Sequence, residues 1–301
     1  KAHWVRRDSI LWNTVGSPRY QYSLFYSPDA ALELTASGLE GGVEIPLTFI
    51  PGGAEAEIKQ KFPHLASFTT LKIGQVGDLS YEKALKSEIA VLMRDENGRV
   101  VDVTGVQLPG VLDDLYTYDG PLGVTFERNI PVLRVWAPTA VSVTLHLFED
   151  AVSDSARKLL MQWEAGSGVW SIRGEADWAG KFYLYEVEVY VPSESKIVKN
   201  LVTDPYSFSL STNSKRSQVV NLDDPALKPA GWDKLKKPAF DDVVVYELHI
   251  RDFSVYDETV PEAWRGTYMA FTATGSNGMK HLRSLAEAGL THIHLLPAFD
   301  I

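Results

Sequence analysis

Two β-sandwich domains followed by a β/α/β unit, the repeat of a parallel sheet or barrel, is the fold that this sequence predicts. Three observations carry it. Short alternating segments broken by Pro and Gly turns fill residues 1–118, strands at regular spacing return in residues 119–222, and near the end two apolar runs flank a helical pattern.

In the first region the alternating segments are Tyr20-Gln-Tyr-Ser-Leu-Phe-Tyr26, Val43-Glu-Ile-Pro-Leu47 and Ser87-Glu-Ile-Ala-Val-Leu-Met93. Period-2 alternation of this length reads as half-buried strands of a β-rich domain. Asp119-Gly-Pro-Leu-Gly123 is a turn cluster, and behind it come Leu133-Arg-Val-Trp136, Val141-Ser-Val-Thr-Leu-His-Leu-Phe148, Gly168-Val-Trp-Ser-Ile172 and Phe182-Tyr-Leu-Tyr-Glu-Val-Glu-Val-Tyr190. Their spacing predicts a second sandwich of immunoglobulin-like size over 119–222. Residues 223–240, with Asp-Asp-Pro, Gly-Trp and Lys-Lys-Pro and no periodicity, read as a linker. In residues 241–301, Val243–Phe253 is the first apolar run. Asn277 is the expected N-cap of a helix through Met279, Leu282, Leu285 and Ala286, Gly289 stands at its C′ position, and Thr291–Leu296 is a buried parallel strand.

Composition narrows the function classes. Lys plus Arg is 29 against 39 Asp plus Glu, a net charge of -10 that repels phosphate backbones and anionic lipid, so neither nucleic acid nor a membrane surface is expected as a partner. The absence of cysteine excludes disulfides, zinc-thiolate sites and thiol catalysis. No apolar run reaches the length of a membrane span, and Lys1–Arg7 has no signal-peptide core, so the start reads as mature or trimmed.

Tyr246-Glu-Leu-His-Ile-Arg-Asp-Phe-Ser254 followed by Gly289-Leu-Thr-His-Ile-His-Leu-Leu-Pro297 resembles the first strand, first helix and second strand of the catalytic barrel in glycoside hydrolase family thirteen. Three upstream features narrow the resemblance. Val101-Asp-Val-Thr-Gly-Val-Gln-Leu-Pro-Gly-Val-Leu-Asp-Asp-Leu-Tyr116 with Tyr118–Gly123 looks like the junction ahead of the carbohydrate-binding module in pullulanase-type debranching enzymes, especially plant limit dextrinases. Leu133–Thr139, Gly180–Val187 and Thr203-Asp-Pro-Tyr206 are similar to carbohydrate-binding module family forty-eight, and Ala2-His-Trp-Val5 with Ile10-Leu-Trp12 resembles the opening of the N-terminal domain of the same enzymes.

The resemblance implies the N-terminal portion of an enzyme that hydrolyses α-1,6 branch linkages in pullulan, limit dextrins or amylopectin fragments. The family retains anomeric configuration: one carboxylate attacks, a protonated Glu releases the leaving oxygen, and water resolves the glycosyl-enzyme. Its catalytic carboxylates come from the fourth and fifth strands and the loop after the seventh, whereas Asp241–Ile301 is a small part of the about 250 residues that a β/α barrel takes. No catalytic residue is therefore assigned here, the chain alone is expected to be inactive, and the remainder of the catalytic domain is its expected partner. No cofactor is required, calcium being implied only as a structural ion of the parent enzyme. The resemblance leans toward plant or algal enzymes and hence a plastid, or secretion if the source is bacterial. The rivals are a glucan branching enzyme, against which the Leu-Pro-Gly-Val-Leu-Asp-Asp segment counts, and a non-catalytic glucan-binding or scaffold protein.

Among single residues, Trp170 and Trp178 are the candidate sugar contacts, since flat indole faces stack on glucose rings, whereas Trp136 and Tyr185 read as core. Trp163 and Tyr183 belong to the same aromatic set. Glycogen-binding members of the module family carry a Trp in the hairpin after the Tyr-rich strand, and this chain has Val191-Pro-Ser-Glu-Ser-Lys196; a second family Trp is missing beside Leu147-Phe-Glu-Asp150. The departure implies a module kept for docking onto the barrel, with weak or no glucan affinity of its own. Glu247, Asp252 and Asp300 sit on or next to the apolar runs but read as caps or salt-bridge partners. His249, His292 and His294 read as strand packing, with no metal site assigned. Arg6-Arg7 and Lys234-Leu-Lys-Lys237 are solvated loop charge.

Overall fold

The computed structural model describes residues 1–74, 80–234 and 242–297, arranged as two compact units, 1–221 and 222–301. The expected linker lies partly outside the described residues, and Asp300 and most of Lys234–Lys237 lie wholly outside them.

The first unit opens with strands β1 (Ala2–Arg6), β2 (Ser9–Trp12), β3 (Gln21–Ser27), β4 (Glu33–Thr35), β5 (Gly38–Glu40), β6 (Val43–Ile50), β7 (Thr69–Ile73), β8 (Glu88–Arg94) and β9 (Val100–Gln107), with helices α1 (Ala56–Lys61), α2 (Tyr81–Leu85) and α3 (Pro109–Leu115). Where alternation suggests a two-sheet sandwich, seven of these strands hydrogen-bond in the order β1-β2-β7-β6-β3-β8-β9 and close into a barrel. Closure is made by parallel pairing of β1 with β9, Ala2 opposite Val106 and His3 opposite Gln107, a contact between distant segments that no local pattern announces. Trp4, Ile10, Trp12, Leu24, Leu71 and Val91 fill the interior.

β2 and most of β3 are buried along their whole length because the outside of the barrel is covered as well. α1 lays Ile58 on Val5 and Leu11, and a cluster of Leu39, Phe25 and Leu92 covers another patch. α3 explains the Leu-Pro-Gly segment. Pro109 occupies the first turn, where its missing N–H costs nothing, and a Cβ on Gly110 would stand 2.7 Å from the Val5 Cα, so only glycine lets the helix lie against β1.

The second domain is the expected sandwich. One sheet runs β10 (Gly123–Glu127), β11 (Ile130–Trp136), β15 (Val169–Arg173), β14 (Gln162–Glu164); the other runs β13 (Arg157–Leu160), β12 (Ser142–Phe148), β16 (Phe182–Val191), β17 (Lys196–Val202), with β18 (Ser217–Gln218) also on β16. Arg128 and Asn129, both at positive φ, make the two-residue turn between β10 and β11. Leu133, Val143, Leu145, Leu147, Tyr183 and Tyr185 are among the residues of the shared core.

In the second unit, β19 (Val245–Leu248) and β20 (His292–Leu295) pair in parallel, Val245 opposite His292 through Leu248 opposite Leu295. The first apolar run is only partly strand: the chain turns at His249 into α4 (Ile250–Ser254), whose Arg251 N–H donates to the His249 Nδ1. α5 (Asn277–Glu287) begins one residue earlier than its expected cap, because Ser276 rather than Asn277 accepts the Met279 N–H; Gly289 follows at φ 108.

Candidate functional site

The two tryptophans expected to meet sugar are in the core of the second domain. Trp170, on β15 opposite Val135, is 5% exposed, and its indole N–H donates to the Ala137 carbonyl at 3.1 Å. Trp178 closes the short turn Ala176–Trp178, is 2% exposed, and packs so closely on Gly174 that a Cβ there would stand 2.4 Å from its ring. Neither indole offers a face to a glucose ring, so the assignment is corrected. A sandwich this small has few other large apolar side chains with which to fill its centre.

The remaining tryptophans of the domain turn toward its neighbour. Trp163, on β14, stands edge-on to Tyr116 at 5.9 Å between centroids and 5.3 Å from Trp170. Trp163 and Trp136 both pack on the core of the first domain as well as lying in the second. Lys86, just after α2, places its ammonium 3.9 Å from the Trp163 ring centroid and 5.1 Å from that of Trp170, while pairing with Glu82 at 2.9 Å. A cation over an indole face is worth ~0.5–2 kcal/mol, the higher figure when desolvated. A Cβ on Gly168, which has positive φ, would lie 2.9 Å from the Trp136 indole nitrogen and 3.0 Å from the Tyr116 Cβ, so the backbone itself is part of the fit. At the far end of β16, Tyr190 donates its hydroxyl hydrogen to Glu88 at 3.0 Å, and the other Glu88 oxygen accepts the Leu32 N–H. The aromatic residues of the second domain thus serve its core and its junction with residues 1–118.

The outer face of β12 and β16 is polar. His146, opposite Leu184, donates from Nε2 to Glu186 at 3.0 Å, and Lys158 and Lys199 each approach Glu186 at 3.7 Å. Partial burial works against the Glu186 charge, but the His146, Lys158 and Lys199 side chains outweigh it and hold the carboxyl below its usual range. Burial and the Lys158 charge depress the His146 imidazole against the pull of Glu186, so at neutral pH the contact is a neutral donor on a carboxylate rather than an ion pair. Leu160 and Leu201 are the exposed apolar residues in the row of Thr144 and Glu186.

The Thr203-Asp-Pro-Tyr206 motif has a structural role. Asp204, 3% exposed, accepts the Tyr183 hydroxyl at 2.7 Å, the Tyr185 hydroxyl at 3.4 Å and the Tyr206 N–H at 2.8 Å. Burial pushes its carboxyl up against those hydrogen bonds, and burial together with the adjacent Asp204 charge pushes the Tyr183 phenol up in turn. Sequence reading took Tyr185 as core but missed the Asp204 clamp; an Asp between two apolar strands, two residues ahead of a Tyr, is the signal that could have found it.

In the second unit Glu247 pairs with His294 at 3.1 Å across the parallel ladder, and Asp252 lies 3.7 Å from Arg251 and 3.9 Å from His249. These side chains are exposed partners of one another. Among the described residues no group of three or more His, Asp or Glu converges to hold a metal ion, and no helix is long and apolar enough to cross a membrane.

Comparison with known proteins follows this division. Residues 1–114 match the pullulanase N2 domain, and residues 121–207 match carbohydrate-binding module 48, the isoamylase N-terminal domain. The chain is 42% identical over 307 residues to chloroplastic pullulanase 1 of Arabidopsis thaliana, which covers all of this chain and 31% of that protein. It is 38% identical over 323 residues to the pullulanase of Klebsiella pneumoniae, again over its whole length and 28% of the relative. The crystal structure of Klebsiella pneumoniae pullulanase complexed with maltotriose superposes with a TM-score of 0.91 at 37% identity, covering 100% of this chain and 29% of that one. The chain therefore spans under a third of the length of these relatives.

Proposed function

From a chain of the pullulanase-type N-terminal portion, with the pullulanase N2 domain and carbohydrate-binding module 48 in succession, we propose that the whole protein is a debranching hydrolase of α-1,6-glucosidic linkages. The observation that carries the reading is the match of every part of this chain, in order, to pullulanases of a plant and a bacterium. The maltotriose bound by the Klebsiella pneumoniae enzyme supports pullulan, limit dextrins or amylopectin fragments as substrate.

In this reading the second unit is the first β/α/β unit of a β/α barrel. Its parallel strands leave Val245, Ile293 and Leu295 more than two-fifths exposed, as strands do when their neighbours and covering helices come from further sequence. The two carboxylates of the retaining reaction lie outside residues 1–301, and calcium, if held, is a structural ion there, since the described donors do not form a site. The module serves docking: with Trp170 and Trp178 buried and Trp163 on the first domain, it lacks the open indole faces that a free-standing glucan-binding protein would use. The setting is a plastid for a plant or alga and the exterior for a bacterium.

The test is maltotriose release from pullulan by the whole protein and by residues 1–301. Release by the former alone is the expected result. Transfer of glucan chains with no net hydrolysis by the whole protein would replace hydrolase with branching enzyme.

A further inference from the structure

The first domain and the module enclose a cleft of about 400 Å3 at their junction, in the range of small-molecule sites, which commonly lie between domains. Ile89 and Val106 from the barrel and Val189 and Pro192 from the β16–β17 hairpin give it apolar walls. Thr104, Gln107 and Thr139 supply hydroxyl and amide groups among those walls. Apart from Lys1, its described lining is uncharged.

We propose that this cleft is an accessory carbohydrate site taking the end of a short, neutral α-glucan of maltose or maltotriose size, an inference that rests on reading the protein as glucan-active. A glucose unit has apolar C–H faces and a rim of hydroxyls, which matches walls of branched aliphatic side chains interrupted by neutral hydrogen-bonding groups. A phosphorylated or acidic ligand would find one cation, at the chain's first residue, and otherwise aliphatic surface. Tyr190 gives the cleft its aromatic ring, and the hydrogen bond from its hydroxyl to Glu88 holds that ring in place. Glu88 is itself fixed by the Leu32 N–H, and the packing of Trp163 between Tyr116 and Trp170 ties the two walls together. The site is therefore formed before ligand arrives, which lowers the cost of binding. It lies at the hairpin end of β16, away from the buried indoles and from the polar face around His146.

Gly105 provides the decisive variant. It lines the cleft at an ordinary φ, and the nearest atom to an added Cβ is the Ile89 carbonyl oxygen at 3.9 Å, so Gly105→Phe fills the space without moving the barrel. Methyl-labelled protein titrated with maltotriose should show saturable shifts at Ile89, Val106 and Val189, with a Kd of about 1 mM. Gly105→Phe should weaken binding at least about tenfold at an unchanged melting temperature. Tyr190→Phe, which keeps the ring and frees it from Glu88, should weaken binding severalfold. Inorganic phosphate should shift none of these methyls.

Absence of maltotriose shifts at the three methyls overturns the proposal, as does undiminished binding in Gly105→Phe or a response to phosphate instead of sugar. Maltotriose shifts in a protein whose full-length form fails to cleave pullulan would sink the debranching reading and leave the site. Cleavage without the shifts would do the reverse.

Discussion

Asp204 shows how one buried carboxylate organises a motif. Replacing it with Ala leaves the Tyr183 and Tyr185 hydroxyls and the Tyr206 N–H without their acceptor, and a buried polar group left unpaired costs about 1–3 kcal/mol. Asp204→Ala should therefore lower the denaturation midpoint clearly, whereas Asp204→Asn, which keeps an acceptor oxygen toward the tyrosines, should lower it less. The two proteins should also differ in pH dependence. Because burial raises the folded-state pKa, the folded form holds the proton to higher pH than the unfolded chain, whose reference is 3.8; the contribution is complete below that value and is lost as pH rises through the folded pKa. Wild-type stability measured relative to Asp204→Asn should thus decline as pH rises from about 4, and a difference independent of pH would show that Asp204 is charged at both ends of the range. Such roles are only half legible in a sequence. The composition of the Thr203–Tyr206 motif is visible, but burial decides whether Asp204 clamps or dissolves, just as burial rather than residue type moved Trp170 and Trp178 from sugar platform to core.

Elements were more legible than residues wherever local periodicity decided them. Tyr20–Tyr26, Val141–Phe148 and Phe182–Tyr190 all emerge as strands within a residue or so, because alternation is a property of the segment itself. What escaped was set by distant partners: the parallel β1–β9 pairing that closes the barrel, and the short α1 and α2, which are held by packing on the barrel more than by their own propensity. α3 tests the packing argument. Gly110→Ala places a methyl against the Val5 backbone, which cannot rotate away, and should cost about 1–3 kcal/mol although alanine is the better helix former. An increase in stability would mean that the helix sits farther from β1 than 2.7 Å implies. β14 carries the parallel case between domains. Trp163→Ala removes the ring that touches Tyr116, Trp170 and Lys86, with a cost of about 3 kcal/mol, and calorimetry should then show residues 1–118 and the module melting in separate transitions instead of together. Lys86→Ala should weaken the coupling without separating them.

For the molecule as a whole, the distribution of exposed apolar surface is uneven in a way that charge does not compensate. The net charge of -10 favours solubility, and residues 1–221 bury their barrel and sandwich cores internally. In the parallel pair β19–β20, by contrast, Val245 is 54%, Ile293 43% and Leu295 41% exposed, with Tyr246 alongside. Parallel strands are ordinarily covered on both faces, and a two-stranded sheet has two open edges that can recruit another chain. Residues 1–301 in isolation should therefore bind a hydrophobic dye strongly and self-associate in sedimentation, whereas residues 1–221 should do neither. Val245→Lys with Ile293→Glu, opposite in charge and on neighbouring strands one position apart in register, should suppress both effects without altering the melting of the first unit. Equal dye binding by the two lengths would place the sticky surface on the first unit, around the exposed Leu160, Leu201 and Phe208 instead. The same comparison bears on the barrel reading, because the strands that tether dye in the isolated chain are the ones that further strands and helices must cover when the whole protein folds.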